Sequence, residues 1–265
     1  MTEENPVLVT RDGPVVRAVL NRPHRRNAMS QALVEALDVL LAELKTDTSA
    51  RVLVLSGAGG HFCAGLDLTE VGAVETPEEK LVRQHARNQK TGARFNAIAE
   101  LPQVVIAAVE GAAYAGGLGF VTAADICLAS ADARFSAPEV RRGLVPAQIL
   151  PWLVRRMGRS EAARLCLQGH VMDAAEAAHT GLVHQVLPDA AGLEAAVQAT
   201  IADILQGAPG ALAETKALLA ALGPVAPPAY AEAGAQSFAR RAASPEAEEG
   251  IASFKQRRKP SWMMT

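Results

Sequence analysis

Val104-Val-Ile-Ala-Ala-Val-Glu-Gly-Ala-Ala-Tyr-Ala-Gly-Gly-Leu-Gly-Phe-Val-Thr-Ala-Ala-Asp125 begins as a buried strand, turns through glycines and opens a short apolar helix. A helix that starts on glycines leaves unpaired N–H groups and the positive end of its dipole aimed at whatever sits there. Close packing of a helix on a sheet would use the same residues. Upstream, Arg51-Val-Leu-Val-Leu-Ser56 is a second such strand, and it runs straight into Gly57-Ala-Gly-Gly-His-Phe-Cys-Ala-Gly-Leu-Asp-Leu68. A dinucleotide loop fails here on spacing, because the third glycine would have to stand at position 62, which is Phe62. A flexible turn and a loop whose small residues let backbone N–H groups approach a ligand both remain open. Two such loops in one domain supply a pair of converging N–H donors, which is what an oxyanion requires.

Working outward, Val7-Leu-Val-Thr10 and Val15-Val-Arg-Ala-Val-Leu20 flank Arg11-Asp-Gly-Pro14 and read as a β-hairpin. Asn21-Arg-Pro23 ends the second strand. Ser30 is a plausible N-cap for a helix with Leu33, Leu37, Leu40, Leu41 and Leu44 on one face. Pro77–Ala99 is polar and helical, and Asp125-Ile-Cys-Leu-Ala129 is a further strand. From Glu139 onward the pattern is almost wholly helical. The alternation of strands and helices predicts an α/β core with parallel pairs, followed by a helical C-terminal region.

Composition narrows the function. The chain has 265 residues, 49% of them hydrophobic, so it can bury a large core. A formal charge of −2 offers no basic field for nucleic acid or an anionic membrane. An acidic ligand would have to be met by a few placed cations or by backbone dipoles. Cys63, Cys127 and Cys166 are odd in number and form no CxxC pair, which argues against disulfides and a thiolate metal site. The six histidines show no ligand spacing. No apolar run is long enough to cross a bilayer and no secretory leader is visible, so a cytoplasmic location is expected.

Four ordered segments carry a resemblance. Asn21-Arg-Pro-His-Arg-Arg-Asn-Ala28, His61-Phe-Cys-Ala-Gly-Leu-Asp-Leu68, Gly111 through Asp125, and Arg134 through Pro146 with its Pro138-Glu139 pair resemble the motifs of the enoyl-CoA hydratase/isomerase (crotonase) superfamily. The resemblance runs nearly the full length. It implies a crotonase-like ββα spiral core over residues 1–190 and a helical trimerisation region over 191–265, giving a homotrimer or hexamer. It also implies an acyl-CoA substrate, with coenzyme A entering as part of the thioester and no separate cofactor. By the same likeness Leu66 and Gly116 give the oxyanion N–H groups and Glu139 is the acid/base. Arg25, Arg26, Ala64, Asp67 and Gly119 would line the substrate and coenzyme A path. Arg25 and Arg26 read equally well as a solvated surface pair.

One departure bears on mechanism. Many two-acid hydratases of this superfamily carry a second glutamate at the position that is Gly119 here, and Ala115 replaces the first glycine of their triplet. Water addition to a trans-2-enoyl-CoA with a single glutamate is the leading expectation. Δ3-Δ2 enoyl-CoA isomerisation and a non-catalytic acyl-CoA-binding protein are the alternatives. The pairing of this glycine with a retained Pro-Glu glutamate resembles hydratases of methylglutaconyl- and isohexenylglutaconyl-CoA. Cys63 reads as a small buried filler rather than a nucleophile, since no base is near it in sequence.

Overall fold

The computed structural model describes residues 5–67, 76–222 and 244–263. Strands β1 (Val7–Asp12) and β2 (Val15–Leu20) form the antiparallel hairpin expected around Gly13-Pro14. β2 then pairs in parallel with β3 (Val52–Gly57), β3 with β4 (Val104–Val109), β4 with β6 (Ile126–Ser130), and β6 with β9 (Gln185–Leu187). The order is β1-β2-β3-β4-β6-β9. A second sheet holds β5 (Ala112–Tyr114), β7 (Arg134–Ser136) and β8 (Met172–Asp173). The chain steps from the first sheet to the second and then into a helix twice, as β4-β5-α3 and β6-β7-α4. This is the ββα spiral of a crotonase-like core.

The helices are α1 (Gln31–Leu44), α2 (Pro77–Ala99), α3 (Gly116–Ala123), α4 (Leu150–Gln168), α5 (Ala174–His179), α6 (Ala190–Ile204), α7 (Pro209–Ala221) and α8 (Pro245–Gln256). Ser30 caps α1 through Leu33 N–H, and Thr76 with Glu79 forms a capping box on α2. Gly158, at φ +76°, kinks α4. The central strands β3, β4 and β6 are buried on both faces, which explains why they read as continuous apolar runs, whereas β1 and β2 at the edge are partly exposed. Leu53, Leu55, Val105 and Ala107 face the main core with the α1 leucines. Val52, Val54, Ile106 and Leu128 face the other way, against Leu193, Val197 and Ile201 of α6.

Two expectations need correction. The region after Glu139 is not wholly helical: β8 pairs with β7, and β9 extends the main sheet. Strands of two and three residues are too short to show a period in sequence. The helix expected at Pro138-Glu139 is one 3-10 turn, Glu139–Arg142, stopped by Gly143 at φ +68°.

α7 is fastened to the core by one buried cation. Lys216 Nζ lies 2.6 Å from an Asp125 carboxylate oxygen and donates to the Gln103 carbonyl at 2.9 Å. That carboxylate also accepts from Val105 N–H at 2.8 Å, so helix, strand and loop share it. Lys216→Ala should therefore lower stability by about 1.5–3 kcal/mol, the worth of a hydrogen bond to a charged group. Urea unfolding measures the change, and the Asp125→Asn, Lys216→Ala double variant should lose little more than the single one.

Candidate active site

The two glycine loops leave the C-terminal ends of neighbouring parallel strands, β3 and β4, and meet main chain to main chain. Cys63 and Ala113 form a parallel bridge, with Cys63 N–H donating to Ala112 (2.8 Å) and Tyr114 N–H to Cys63 (2.9 Å). Met29 and Leu66 form a second one, through Met29 N–H to Gly65 (2.8 Å) and Asp67 N–H to Met29 (3.1 Å). Bridges of this pattern turn the N–H of Leu66 away from its partner strand. At Gly65 (φ +89°) a Cβ would lie 2.9 Å from the Ala115 Cβ and 3.6 Å from the Gly116 nitrogen. Only glycine permits that approach. Gly116 is the first residue of α3, where an N–H has no intrahelical acceptor. Among the described residues neither Leu66 N–H nor Gly116 N–H has a hydrogen-bond acceptor. The two loops come together main chain to main chain, with these two N–H groups left over.

Polar side chains hold the first loop. Asn27 is buried in the left-handed region at φ +55°. Its carboxamide donates to the Ala58 carbonyl (2.9 Å) and the His61 carbonyl (2.6 Å), and accepts from Arg22 N–H (2.8 Å). Arg22 is buried too and pairs with Asp67 at 2.9 Å while donating to the Ala28 carbonyl at 2.6 Å. These roles were missed in sequence, although the Asn-Arg-Pro segment carrying Arg22 and Asn27 was singled out. A buried arginine with a buried carboxylate 45 positions away leaves no local pattern.

Other expected residues sit around this framework. Arg25 and Arg26 are exposed, and the Arg26 carbonyl accepts from Ala64 N–H at 2.9 Å. Asp67 has both its N–H and its carboxylate engaged in holding the loop. Cys63 is fully buried, and burial pushes its thiol up to about 12. A cavity of about 1040 Å³ between α1 and α2 opens beside Leu66 and Met29. Its lining includes neither Gly116 nor Glu139.

The segment that carries Glu139 is tied to the Gly116 loop through the second sheet. β5 pairs with β7, Tyr114 facing Ser136, and Ala115 N–H donates to the Ser136 carbonyl at 2.9 Å. Three residues after Ser136 comes Glu139. Burial raises its carboxyl above the ordinary range, opposed by its own backbone N–H and by Arg142. Its Oε2 is buried with no hydrogen-bond partner among the described residues. A partnerless buried carboxylate oxygen is costly, and such orphans mark places reserved for something else.

Gly119 is not an open position. It is buried one turn into α3, and a Cβ there would run into the Phe95 ring of α2. Phe95 is fully buried and stacks edge-on against Phe120, centroids 5.7 Å apart. An aromatic ring fills the space into which a side chain at 119 would grow. Nothing in the sequence of α2 pointed to Phe95 as the partner of that glycine.

Two sheets wound in strand–strand–helix units, with a helix N-terminus facing a second glycine loop, define an α/β enzyme fold of the crotonase type. The chain belongs to the Enoyl-CoA hydratase/isomerase family, whose sequence profile it matches over residues 10–264. Hydratase or isomerase chemistry on an acyl-CoA substrate comes with that membership. The chain is 35% identical over 196 residues to a 2,3-dehydroadipyl-CoA hydratase of Escherichia coli, covering 72% of this chain and 73% of that protein. Among solved structures, Pseudomonas aeruginosa AtuE superposes with a TM-score of 0.90 at 39% identity, covering 98% and 100% of the two chains. An enoyl-CoA hydratase/isomerase from Marinobacter aquaeolei gives 0.90 at 37%, covering 98% and 99%.

The Phe95–Gly119 contact sets an expected outcome. Gly119→Glu should overpack α3 against α2 and cost about 1–3 kcal/mol in urea unfolding. Full stability would mean that the ring yields and leaves a usable position.

Proposed function

We propose that this protein adds water to a trans-2-enoyl-CoA thioester, with Leu66 and Gly116 N–H groups as the oxyanion donors and Glu139 as the sole acid/base. The observation that carries the reading is the buried Oε2 of Glu139, unpartnered among the described residues, three residues past the strand β7 that pairs with β5 just ahead of Gly116. In the reaction, a water oxygen bonds to C3 as its proton passes to Glu139. The π electrons shift onto the thioester oxygen, where the two N–H groups hold the enolate. The enolate then collapses as a proton is delivered from Glu139 to C2, and the carboxylate is regenerated. One group thus serves both proton transfers in a syn addition. A pure acyl-CoA binder would gain nothing from keeping this carboxylate oxygen unsatisfied.

The substrate we favour is a branched or carboxylated enoyl-CoA of the methylglutaconyl or isohexenylglutaconyl kind. In support stand the glycine at 119 with the retained Glu139, and the likeness to a hydratase named for a dicarboxylic acyl chain. Isomerisation of a 3-enoyl-CoA is the second reading. It is favoured by Phe95 filling the space at Gly119, since moving one proton between C2 and C4 needs one carboxylate. Incorporation of ¹⁸O from labelled water into the product separates the two readings. Arg25, Arg26 and the Ala64 and Asp67 backbone complete the proposed substrate path, and Gly119, packed against the Phe95 ring, is left out of it.

Glu139→Gln keeps the shape and removes the base, so kcat should fall by about 10²–10⁴ with KM little changed. The same substitution should raise stability at neutral pH. A carboxyl whose folded pKa lies above its unfolded value binds more protons folded than unfolded between the two values. Its contribution is therefore lost as pH rises through that window above 4.5. The variant's melting temperature should exceed wild type at pH 7 and converge with it below the ordinary carboxylate range. A variant with wild-type turnover on the best substrate of an enoyl-CoA panel would remove Glu139 from the mechanism.

We also assign residues 191–265 to trimer formation, with Leu212, Leu218, Leu219 and Leu222 contributing apolar surface. Leu219 is 56% exposed in the single chain. The sequence offers Phe238 and Phe254 as further apolar surface of this region; Phe238 lies outside the described residues, and of Phe254 only the place on α8 is described. Light scattering at micromolar concentration should give three or six times 27.7 kDa. A monomer mass would refute this.

A further inference from the structure

α3 has two ends, and the one away from the glycine loops is capped by a single side chain. Arg156 stands in the last turn of α4 before the kink at Gly158. Its guanidinium donates to the Ala124 carbonyl, to the Asp125 carbonyl at 3.2 Å, and to the Val121 and Thr122 carbonyls at the longer distance of 3.5 Å. Val121 and Thr122 carry carbonyls of the last turn of α3 that no further turn would pair, and Ala124 and Asp125 are its C-cap and the residue after it. Among the described residues one carboxylate, Asp125, acts on this charge. Asp125 is already paired with Lys216 at 2.6 Å. Cys127 is a buried thiol pushed up to about 12, hence neutral. His184 accepts from Cys127 N–H at Nδ1 (2.9 Å), which places the proton of the neutral ring on Nε2, 3.3 Å from Arg156. Arg155 adds a like charge and donates to the Leu219 carbonyl. The C-terminal end of α3 therefore carries Arg156 and Lys216 against one carboxylate, Asp125.

We propose that Arg156 is a positioning residue for the oxyanion site: it pins the C-terminal end of α3 and offsets the negative pole of that helix, so that the positive pole at Gly116 acts on the thioester oxygen. α3 is eight residues, about 12 Å long. A unit charge at that range, through a medium of effective dielectric near 20, changes the stability of an enolate by a factor of about ten. The proposal rests on Gly116 N–H being an oxyanion donor, as assigned above.

The test binds butyryl-CoA, labelled with ¹³C at the thioester carbonyl and unable to be hydrated, to the full-length protein. Isotope-edited infrared spectroscopy then reads the carbonyl stretch, and turnover of crotonyl-CoA is followed in parallel. Wild type should lower the stretching frequency on binding. Arg156→Met should lose much of that shift and about five- to tenfold in kcat, with KM changed less than twofold. Arg156→Lys keeps the charge, whereas Arg156→Gln keeps hydrogen-bond donors without it. Recovery of shift and kcat in Lys but not in Gln supports the proposal, and this pair decides the matter should the Met variant not fold. Equal values in Lys and Gln, or a wild-type shift retained in a folded Met variant, overturn it. No shift in wild type would instead overturn the assignment of Leu66 and Gly116.

Discussion

A loop leaves the end of β3 and another leaves the end of β4, and the parallel bridge from Cys63 to Ala113 holds them in main-chain contact. Each bridge hydrogen bond uses up an N–H or carbonyl that faces the partner loop. What remains are the N–H groups that face elsewhere, at Leu66 because of bridge geometry and at Gly116 because a helix has just begun. The two loops lie at the carboxyl ends of parallel strands, where successive chain segments part and leave a crevice. Backbone donors are suited to it because they cannot rotate away, and their orientation is fixed before any ligand arrives.

That fixity has a cost, and the structure shows where it is carried. Ala115 sits at φ +49°, ψ −119°, a region a residue with a Cβ seldom occupies. Strain of this kind is worth about 1–3 kcal/mol and survives only when the surroundings dictate it. Here they do: Ala115 N–H is bonded to Ser136, and the Ala115 methyl lies where only a glycine at 65 can face it. The Asn27 carboxamide and the buried Arg22–Asp67 pair hold the opposite loop. Because the pair is dry and each partner has further bonds, removing one side would strand a charge.

The sequence made the main sheet legible because its strands are long enough to show their character. β1 to β4 and β6 are five or six residues each, and the leucines of α1 repeat at helical spacing. β8 and β9 could not be read, being defined by their partners rather than by any period of their own. The meeting of the two glycine loops was legible through the glycines and the motifs around them. Asn27, Arg22 and Phe95 were not, since each acts on a residue far along the chain and none has a local signature. Gly119 is the instructive case. In sequence it reads as a missing carboxylate, and only the packing of α2 on α3 shows that an aromatic ring has closed the space.

α3 has little helical stability of its own. It is eight residues long, and Gly116, Gly117 and Gly119 weaken its first turn, each by about 1 kcal/mol relative to alanine. An isolated segment of that length would not form a helix in water. It is held by what surrounds it: the Phe95–Phe120 contact on one side, the Ala115 turn at its start, and the Arg156 and Lys216 cations near its end. The glycines that weaken the helix are also the ones that allow Cys63 and Met29 to lie against its first turn. Local propensity has been given up for close backbone approach, and tertiary contacts restore the helix. A substitution in those contacts therefore acts on the whole of α3, the Gly116 turn included.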